Sequence, residues 1–175
     1  PRQIFIAQGL GYDLPQYAHL PVVAEPGSKV KLSKRKLDKY LKNKDFAQLL
    51  QHGQKIAEAI GLTVDMETFN PVIVDFYEQV GYLPEAIINY LALLGWSLDD
   101  KTEHFSMSQL VDAFSLERVN KAPASFDPKK LSAFQERHML DVPLGDKVRM
   151  VFPYLETAEI VAAGDDDAKA KVRQI

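Results

Sequence analysis

The sequence predicts a mainly α-helical fold with little strand. Most of the 175 residues fall into apolar segments with helical spacing, separated by glycine, proline and capping residues. Only residues 19–24 form an apolar, β-branched stretch bounded by prolines, which indicates one short buried strand. Because 46% of the residues are hydrophobic and 26% charged, the chain can bury the core of one domain or of two small ones.

The first half of the chain contains three predicted helices. Residues 2–10 form a short one ahead of the strand. Residues 46–60 place their apolar side chains at helical spacing, and Gly61 follows as the residue after the cap. Residues 71–80 repeat this pattern, with Asn70 as the predicted amino-terminal cap.

The segment at residues 84–94 is apolar on nearly all sides of a helix. Such a helix is expected to be buried between other elements, so we predict that it lies in the core. Trp96 follows the end of this helix. An indole there could stack on a nucleic-acid base, but packing against the helix is the favoured interpretation.

Capping residues define the remaining helices. Ser106 begins a capping box for a helix over residues 107–114. Asp127 precedes a proline and caps a helix over residues 129–138. A further helix is predicted over residues 148–163.

Positive charge is concentrated in one stretch. Residues 29–44 hold eight of the 21 basic residues and one acid, Asp38, whereas the whole chain has a formal net charge of -3. Within this stretch, residues 31–35 (KLSKR) join the predicted strand to a helical region. Ammonium groups placed there could approach a polyphosphate. On these five residues alone, however, a solvated surface loop is the favoured interpretation.

Several kinds of site and location are disfavoured by the composition. The chain has no cysteine, so disulfides and thiolate metal sites are excluded. No carboxylate spacing predicts a metal site or an acid–base pair. Without a secretory signal or an apolar run of membrane-spanning length, a cytoplasmic protein with no membrane contact is expected.

Five sequence blocks follow one another along the chain: residues 17–21 (YAHLP), 31–35 (KLSKR), 81–97 (GYLPEAIINYLALLGWS), 114–121 (FSLERVNK) and 126–131 (FDPKKL). In sequence and in order, they resemble the bacterial-type glutamyl-tRNA synthetases, which are class I aminoacyl-tRNA synthetases. The longest block is too long for chance agreement, and it lies downstream of the lysine loop as in that family.

The resemblance implies an enzyme that activates glutamate with ATP and then transfers it to tRNA(Glu). ATP is the nucleotide substrate, with Mg²⁺ expected in the parent enzyme, which is expected to be monomeric. The resemblance makes Lys34 the catalytic contact to the ATP phosphates, with Lys31 and Ser33 supporting the loop. Arg35 and His19 are further candidates for nucleotide binding, although His19 could equally be a structural residue.

The resemblance also implies three regions. Residues 1–45 correspond to the end of an α/β catalytic domain and carry the lysine loop. Residues 46–141 correspond to a helical region that contacts the tRNA stem, and residues 142–175 to the start of a helical anticodon-binding domain. Residues 37–72 are longer than the family pattern, which predicts an insertion of unknown role.

One half of the expected active site is absent from the sequence. None of the four histidines lies in the His-x-Gly-His arrangement of class I enzymes, and the glutamate-recognising positions of the family lie upstream. We therefore expect a fragment that is inactive alone. Two alternatives remain: a non-catalytic tRNA-binding or protein-interaction module, and the truncated relative that glutamylates a modified tRNA base.

Overall fold

The computed structural model describes residues 2–65, 67–99, 101–162, 164 and 167. Within these residues the chain is mainly helical, which confirms the predicted fold class, and its strands are limited to two short segments. The elements in chain order are α1 (Arg2–Gly9), β1 (Val23–Ala24), α2 (Leu37–Tyr40), α3 (Lys44–Ala59), α4 (Val74–Gln79), α5 (Pro84–Leu93), α6 (Met107–Ala113), β2 (Ala124–Ser125), α7 (Pro128–Asp141) and α8 (Leu144–Thr157).

The two strands form a minimal parallel sheet. Val23 pairs with Ala124, and Ala24 pairs with Ser125. The predicted strand over residues 19–24 is thus too long, because residues 19–22 have no partner strand in the described part of the chain. The sheet nevertheless joins two segments that lie about a hundred residues apart.

Helix α3 begins two residues earlier than predicted because of its cap. The side chain of Asn43 accepts hydrogen bonds from the backbone N–H groups of Asp45 (2.9 Å) and Phe46 (3.3 Å). These bonds satisfy donors that have no partner in the first turn of a helix. The helix ends at Ala59, and Gly61 takes a φ of 65°, the conformation predicted for the residue after the cap.

Helix α4 begins three residues later than predicted. The Oδ1 atom of Asn70 accepts from the N–H of Val72 (2.9 Å), and the N–H of Ile73 donates to the carbonyl of Asn70 (2.8 Å). These two bonds form a turn instead of a helix start, so the helix runs from Val74 to Gln79.

The prediction that α5 is buried on all sides is only half correct. Ala86, Asn89 and Tyr90 are buried, but Ile88 and Leu91 are 41% and 43% exposed. One side of α5 packs on α7, and the other side faces solvent among the described residues. Neither this helix nor any other in the described ranges is both long and apolar enough to cross a membrane.

The predicted caps of α6 and α7 are present. Ser106 and Gln109 form a reciprocal capping box, in which Ser106 Oγ accepts from Gln109 N at 3.2 Å and Gln109 Oε1 accepts from Ser106 N at 2.8 Å. The carboxylate of Asp127 accepts from two backbone N–H groups at the start of α7. Helix α8 runs from Leu144 to Thr157, so the predicted helix over residues 148–163 starts and ends too late.

The main core combines side chains that are widely separated in the sequence, from Tyr40 to Phe134. It is aromatic at its centre and is built from α3, α4, α5 and α7 together with Tyr40 of α2. Trp96 is 2% exposed and packs in a second, smaller cluster with Phe105 and Leu110, which confirms its prediction as a core residue. The main core includes Tyr40, Phe46, Leu49, Leu50, Ala57, Phe69, Phe76, Tyr77, Val80, Leu83, Ala86, Tyr90, Phe126, Leu131 and Phe134.

Contacts within the core cross the predicted boundary between the first two regions. Tyr40 and Phe46 lie on opposite sides of the predicted boundary at residue 45, yet their rings are 5.6 Å apart. Helix α3, from the segment predicted as an insertion, contributes Phe46 and three further residues to the main core. The three-region division and the insertion remain predictions.

Candidate functional site

The basic loop leaves β1 through a tight turn. The N–H of Glu25 donates to the carbonyl of Val30 (2.8 Å), and the N–H of Leu32 donates to the carbonyl of Val23 (2.9 Å). Gly27 lies in the turn with a φ of 65°, a conformation that residues with a Cβ atom rarely adopt. Lys31 therefore lies on the returning arm, in an antiparallel bridge with Ala24.

The cations of the loop point away from the core. After Ser33 the backbone forms a 3-10 helix, Lys34–Lys36, which leads directly into α2. The side chains of Lys31, Lys34 and Arg35 are exposed, and none of them has an ion pair or hydrogen bond within the part of the chain that the structure describes. These three positive charges are therefore available to an anion.

Behind the loop lies a buried carboxylate that the sequence analysis missed. Glu25 is 1% exposed, and its Oε1 atom accepts from Lys36 Nζ at 3.1 Å and from the hydroxyl of Tyr40 at 3.2 Å. Its Oε2 atom is paired with Lys39 Nζ. The hydrogen bond from Lys39, and secondarily the one from Lys36, lowers the pKa of Glu25 against the opposing effect of burial. The same bond to Glu25 raises the pKa of Lys39.

Two polar side chains fix the backbone of the loop. The oxygen of the Tyr40 hydroxyl accepts from the N–H of Ser33 at 3.0 Å. The amide of Asn70, which is 4% exposed, donates to the carbonyl of Lys34 at 3.1 Å. Asn70 was predicted only as a helix cap. Its contact to the loop spans 36 residues of sequence, which no local pattern reveals.

The remaining predicted site residue, His19, is not joined to this loop. It lies exposed in an irregular segment, with no hydrogen bond or ion pair in the described residues. Lys31, Ser33, Lys34 and Arg35 thus share one loop, whereas no contact between that loop and His19 is seen among the described residues, and the roles of all five stay predictions.

An apolar cleft of about 310 Å³ lies beside the loop. Lys31 and Leu32 contribute one wall, and residues of α5 and α7 contribute others. A second cleft of about 280 Å³ joins the segment before β1 to the end of α5 and to residues 114–119. The first cleft is lined by Val22, Val23, Lys31, Leu32, Pro71, Val72, Ile73, Val74, Tyr77, Ile87, Tyr90, Leu91, Phe126 and Leu131.

The five sequence blocks meet through specific contacts of backbone and side chains. A Cβ atom on Gly95 would lie 2.6 Å from Cγ of Pro21, so the end of α5 is packed tightly on the first block. The carbonyl of Gly95 accepts from the N–H of Asn120 at 2.7 Å. The hydroxyl of Tyr90 accepts from the N–H of Asp127 at 2.7 Å. With the two clefts, these contacts connect all five blocks in space.

A second polar cluster lies between α5, α7 and the loop before α6. Nε2 of the buried His138 is 3.0 Å from Oδ1 of Asn89, which also accepts from the N–H of Phe105 at 2.9 Å. The His138 and His104 rings are 4.4 Å apart, and His104 Nε2 is 2.6 Å from a carboxylate oxygen of Asp141. Burial, followed by the proximity of His104, lowers the pKa of His138.

Comparison with known proteins matches one part of this chain to a family model of tRNA synthetases. The family model described as tRNA synthetases class I (E and Q), catalytic domain, matches residues 68–133. This range includes the blocks at residues 81–97, 114–121 and 126–131, and it does not include the basic loop.

Relatives and a solved structure extend the match to the loop. The chain is 36% identical over 163 residues to a glutamate-tRNA ligase of Dehalococcoides mccartyi, covering 93% of the chain and 27% of the relative. It is 32% identical over 175 residues to one of Nitratidesulfovibrio vulgaris, covering 100% of the chain and 29% of the relative. The crystal structure of a glutamate tRNA ligase from Elizabethkingia meningosepticum in complex with its amino acid matches with a TM-score of 0.61 and 28% identity, covering 97% of this chain and 30% of that one. The chain therefore spans a little over a quarter of the length of the curated relatives it matches.

Proposed function

We propose that this chain acts as part of a glutamate-tRNA ligase, because it is similar over most of its length to one stretch of such ligases. That enzyme would activate glutamate with ATP and transfer the acyl group to tRNA(Glu). The observation that carries the proposal is the spatial connection of the five blocks beside a loop whose three exposed cations have no ion pair among the described residues. No observation favours a non-catalytic module, since the matched relatives are ligases.

Lys34 is the proposed catalytic residue. Its ammonium group is exposed, and the backbone that carries it is held by Asn70. A fixed cation at this point would stabilise the charge that develops as pyrophosphate leaves ATP. Lys31 and Arg35 would add positive charge along the phosphates, and Ser33 would support the loop. The proposal for His19 rests on the resemblance alone.

Magnesium, which is expected with ATP, does not fit a site on this stretch. The described residues contain no group of three or more His, Asp or Glu side chains that could hold a metal ion. Beside the loop, both oxygens of Glu25 are engaged by lysines. We therefore propose that Mg²⁺ comes with ATP and is held by other parts of the ligase.

The helical body is the proposed contact surface for the tRNA stem. It includes α3 to α7, and its exposed basic side chains would contact the phosphate backbone without reading sequence. Residues 142–175 are the proposed start of the anticodon-binding region. We also propose that the ligase is a cytoplasmic monomer.

The test is ATP–pyrophosphate exchange with glutamate and tRNA present, in the complete ligase that carries this chain. The variant Lys34→Ala should lower the exchange rate by about a hundredfold, the scale expected when one fixed donor to a developing charge is removed. The matched control is Lys42→Ala, since Lys42 is an exposed lysine of the same basic stretch outside the loop. The control should exchange at the normal rate, and the 175-residue chain alone should show no exchange.

Two results would contradict the proposal. An unchanged ATP–pyrophosphate exchange rate in Lys34→Ala would show that the loop does not have the proposed catalytic role. Exchange by the 175-residue chain alone would show that no other part of the ligase is needed for adenylate formation.

A further inference from the structure

We propose that Glu25 is a positioning residue that holds the basic loop in the conformation that binds a polyphosphate. The inference rests on the proposed phosphate-binding role of the loop. It concerns a residue outside the KLSKR block that contacts neither Lys31, Lys34 nor Arg35 through its carboxylate. Glu25 acts instead through its contacts with Lys36, Lys39 and Tyr40.

Glu25 divides the positive charges of this stretch into two groups. Its two carboxylate oxygens bind the ammonium groups of Lys36, the last residue of the 3-10 helix, and of Lys39 in α2. Both ammonium groups thus contact a carboxylate that is 1% exposed, while the lysine side chains themselves are 47% and 61% exposed. The cations of Lys34 and Arg35 have no such partner in the described residues, so they remain free to face solvent. A buried carboxylate needs this pairing, because an unpaired buried charge is strongly unfavourable.

A hydrogen-bonded path runs from Glu25 to the backbone at the start of the loop. The Tyr40 hydroxyl donates to Glu25 Oε1 at 3.2 Å and accepts from the N–H of Ser33 at 3.0 Å. Because the hydroxyl proton is directed to the carboxylate, the hydroxyl oxygen is left to accept from Ser33. Glu25 thereby fixes the residue directly before Lys34, and it fixes α2 directly after the loop through Lys39.

Charge and position predict opposite effects of the same substitution. Glu25→Gln removes a negative charge close to the basic loop, so Coulomb attraction alone would make a polyphosphate bind more tightly. If Glu25 acts by positioning, the variant releases Lys36, Lys39 and Tyr40, and the polyphosphate binds more weakly. Tyr40→Phe changes no charge and removes only the hydroxyl between Glu25 and Ser33.

The experiment measures the affinity of the 175-residue chain for sodium tripolyphosphate by NMR titration, together with hydrogen exchange of the Ser33 amide. Tyr40→Phe should weaken binding by about threefold to tenfold, the effect of one lost hydrogen bond, and Glu25→Gln, which breaks more contacts, should weaken it at least as much. Both variants should speed exchange at Ser33. Tyr82→Phe is the matched control, because it removes a tyrosine hydroxyl that lies 3.2 Å from Ser132 Oγ, away from the loop. The indole resonance of Trp96, in the second core cluster, reports whether each variant is folded.

Unchanged or tighter binding in Glu25→Gln, with Lys34→Ala still weakening it, would overturn the positioning role and leave the proposed function intact. Unchanged binding in Lys34→Ala would instead contradict the proposed function. If Glu25→Gln does not fold, Tyr40→Phe decides the question, since normal Ser33 exchange and normal affinity in that variant would also overturn the inference.

Discussion

At the scale of single residues, the molecule contains two buried polar groups whose charge state depends on the fold. Glu25 is held ionised by lysines, whereas His138 is held neutral by burial, which lowers its pKa. Both make long-range contacts, to residues 36–40 and to Asn89 respectively. Neither residue is part of a recognisable motif, so their roles emerge only from the structure.

The lowered pKa of His138 predicts a pH-dependent stability. Protonation is disfavoured in the folded state relative to the unfolded state, whose pKa is near the ordinary value of 6.5. The contribution of His138 to stability is therefore full above about pH 6.5 and is lost as the pH falls through the lower, folded-state pKa. Its charged neighbours are His104, Asp141 and Glu85, of which the two carboxylates oppose the shift.

Denaturant unfolding measured at a series of pH values between 7 and 5 checks this expectation. His138→Gln should flatten the decline in unfolding free energy, because glutamine does not titrate and can still donate to Asn89. His52→Gln is the control, since His52 is exposed on α3, and it should leave the decline unchanged. An equally steep decline in His138→Gln would show that other groups cause it.

At the scale of elements, the contact between α3 and α4 depends on a glycine. Gly53 lies inside α3, where alanine would ordinarily stabilise a helix by about 0.5–1 kcal/mol. A Cβ atom at this position would lie 2.6 Å from Cζ of the buried Phe76. We therefore expect Gly53→Ala to destabilise the chain by about 1–3 kcal/mol through overpacking.

The control for Gly53→Ala is Gly145→Ala in α8, where a Cβ atom would meet nothing within 4 Å. That substitution should be neutral or stabilising by about 0.5–1 kcal/mol. Thermal or denaturant unfolding of both variants separates overpacking against Phe76 from the general preference of a helix for alanine over glycine. Stabilisation by Gly53→Ala would show that α3 and α4 are not packed this closely.

Helix caps were predictable from sequence, and element boundaries set by distant contacts were not. Ser106 and Asp127 act within their own helices, so their local pattern was sufficient. The start of α4 was mispredicted because Asn70 forms a turn and also binds the loop carbonyl of Lys34. The exposed side of α5 was mispredicted because composition does not reveal which faces of a helix find partners.

At the scale of the whole molecule, the resemblance identified the blocks, and the structure explains why they occur together. Blocks that are distant in sequence are joined by Gly95 packing on Pro21 and by Tyr90 binding Asp127, while β1 pairs with β2 in the segments beside the blocks. The candidate loop could be found from sequence because its basic residues lie close together and the blocks that resemble the family lie on both sides of it. Glu25, Tyr40 and Asn70 could not, since each has a side chain that serves a contact made only in the folded chain.

The central claim is that this chain contributes a polyphosphate-binding loop without forming a whole active site. The most direct test is an NMR titration of the 175-residue chain with ATP, in which every backbone amide is followed. We predict weak binding that shifts the amides of residues 33–36 and leaves those of α7 and α8 unchanged. Shifts centred on α7 or α8, or none at millimolar ATP, would contradict the claim.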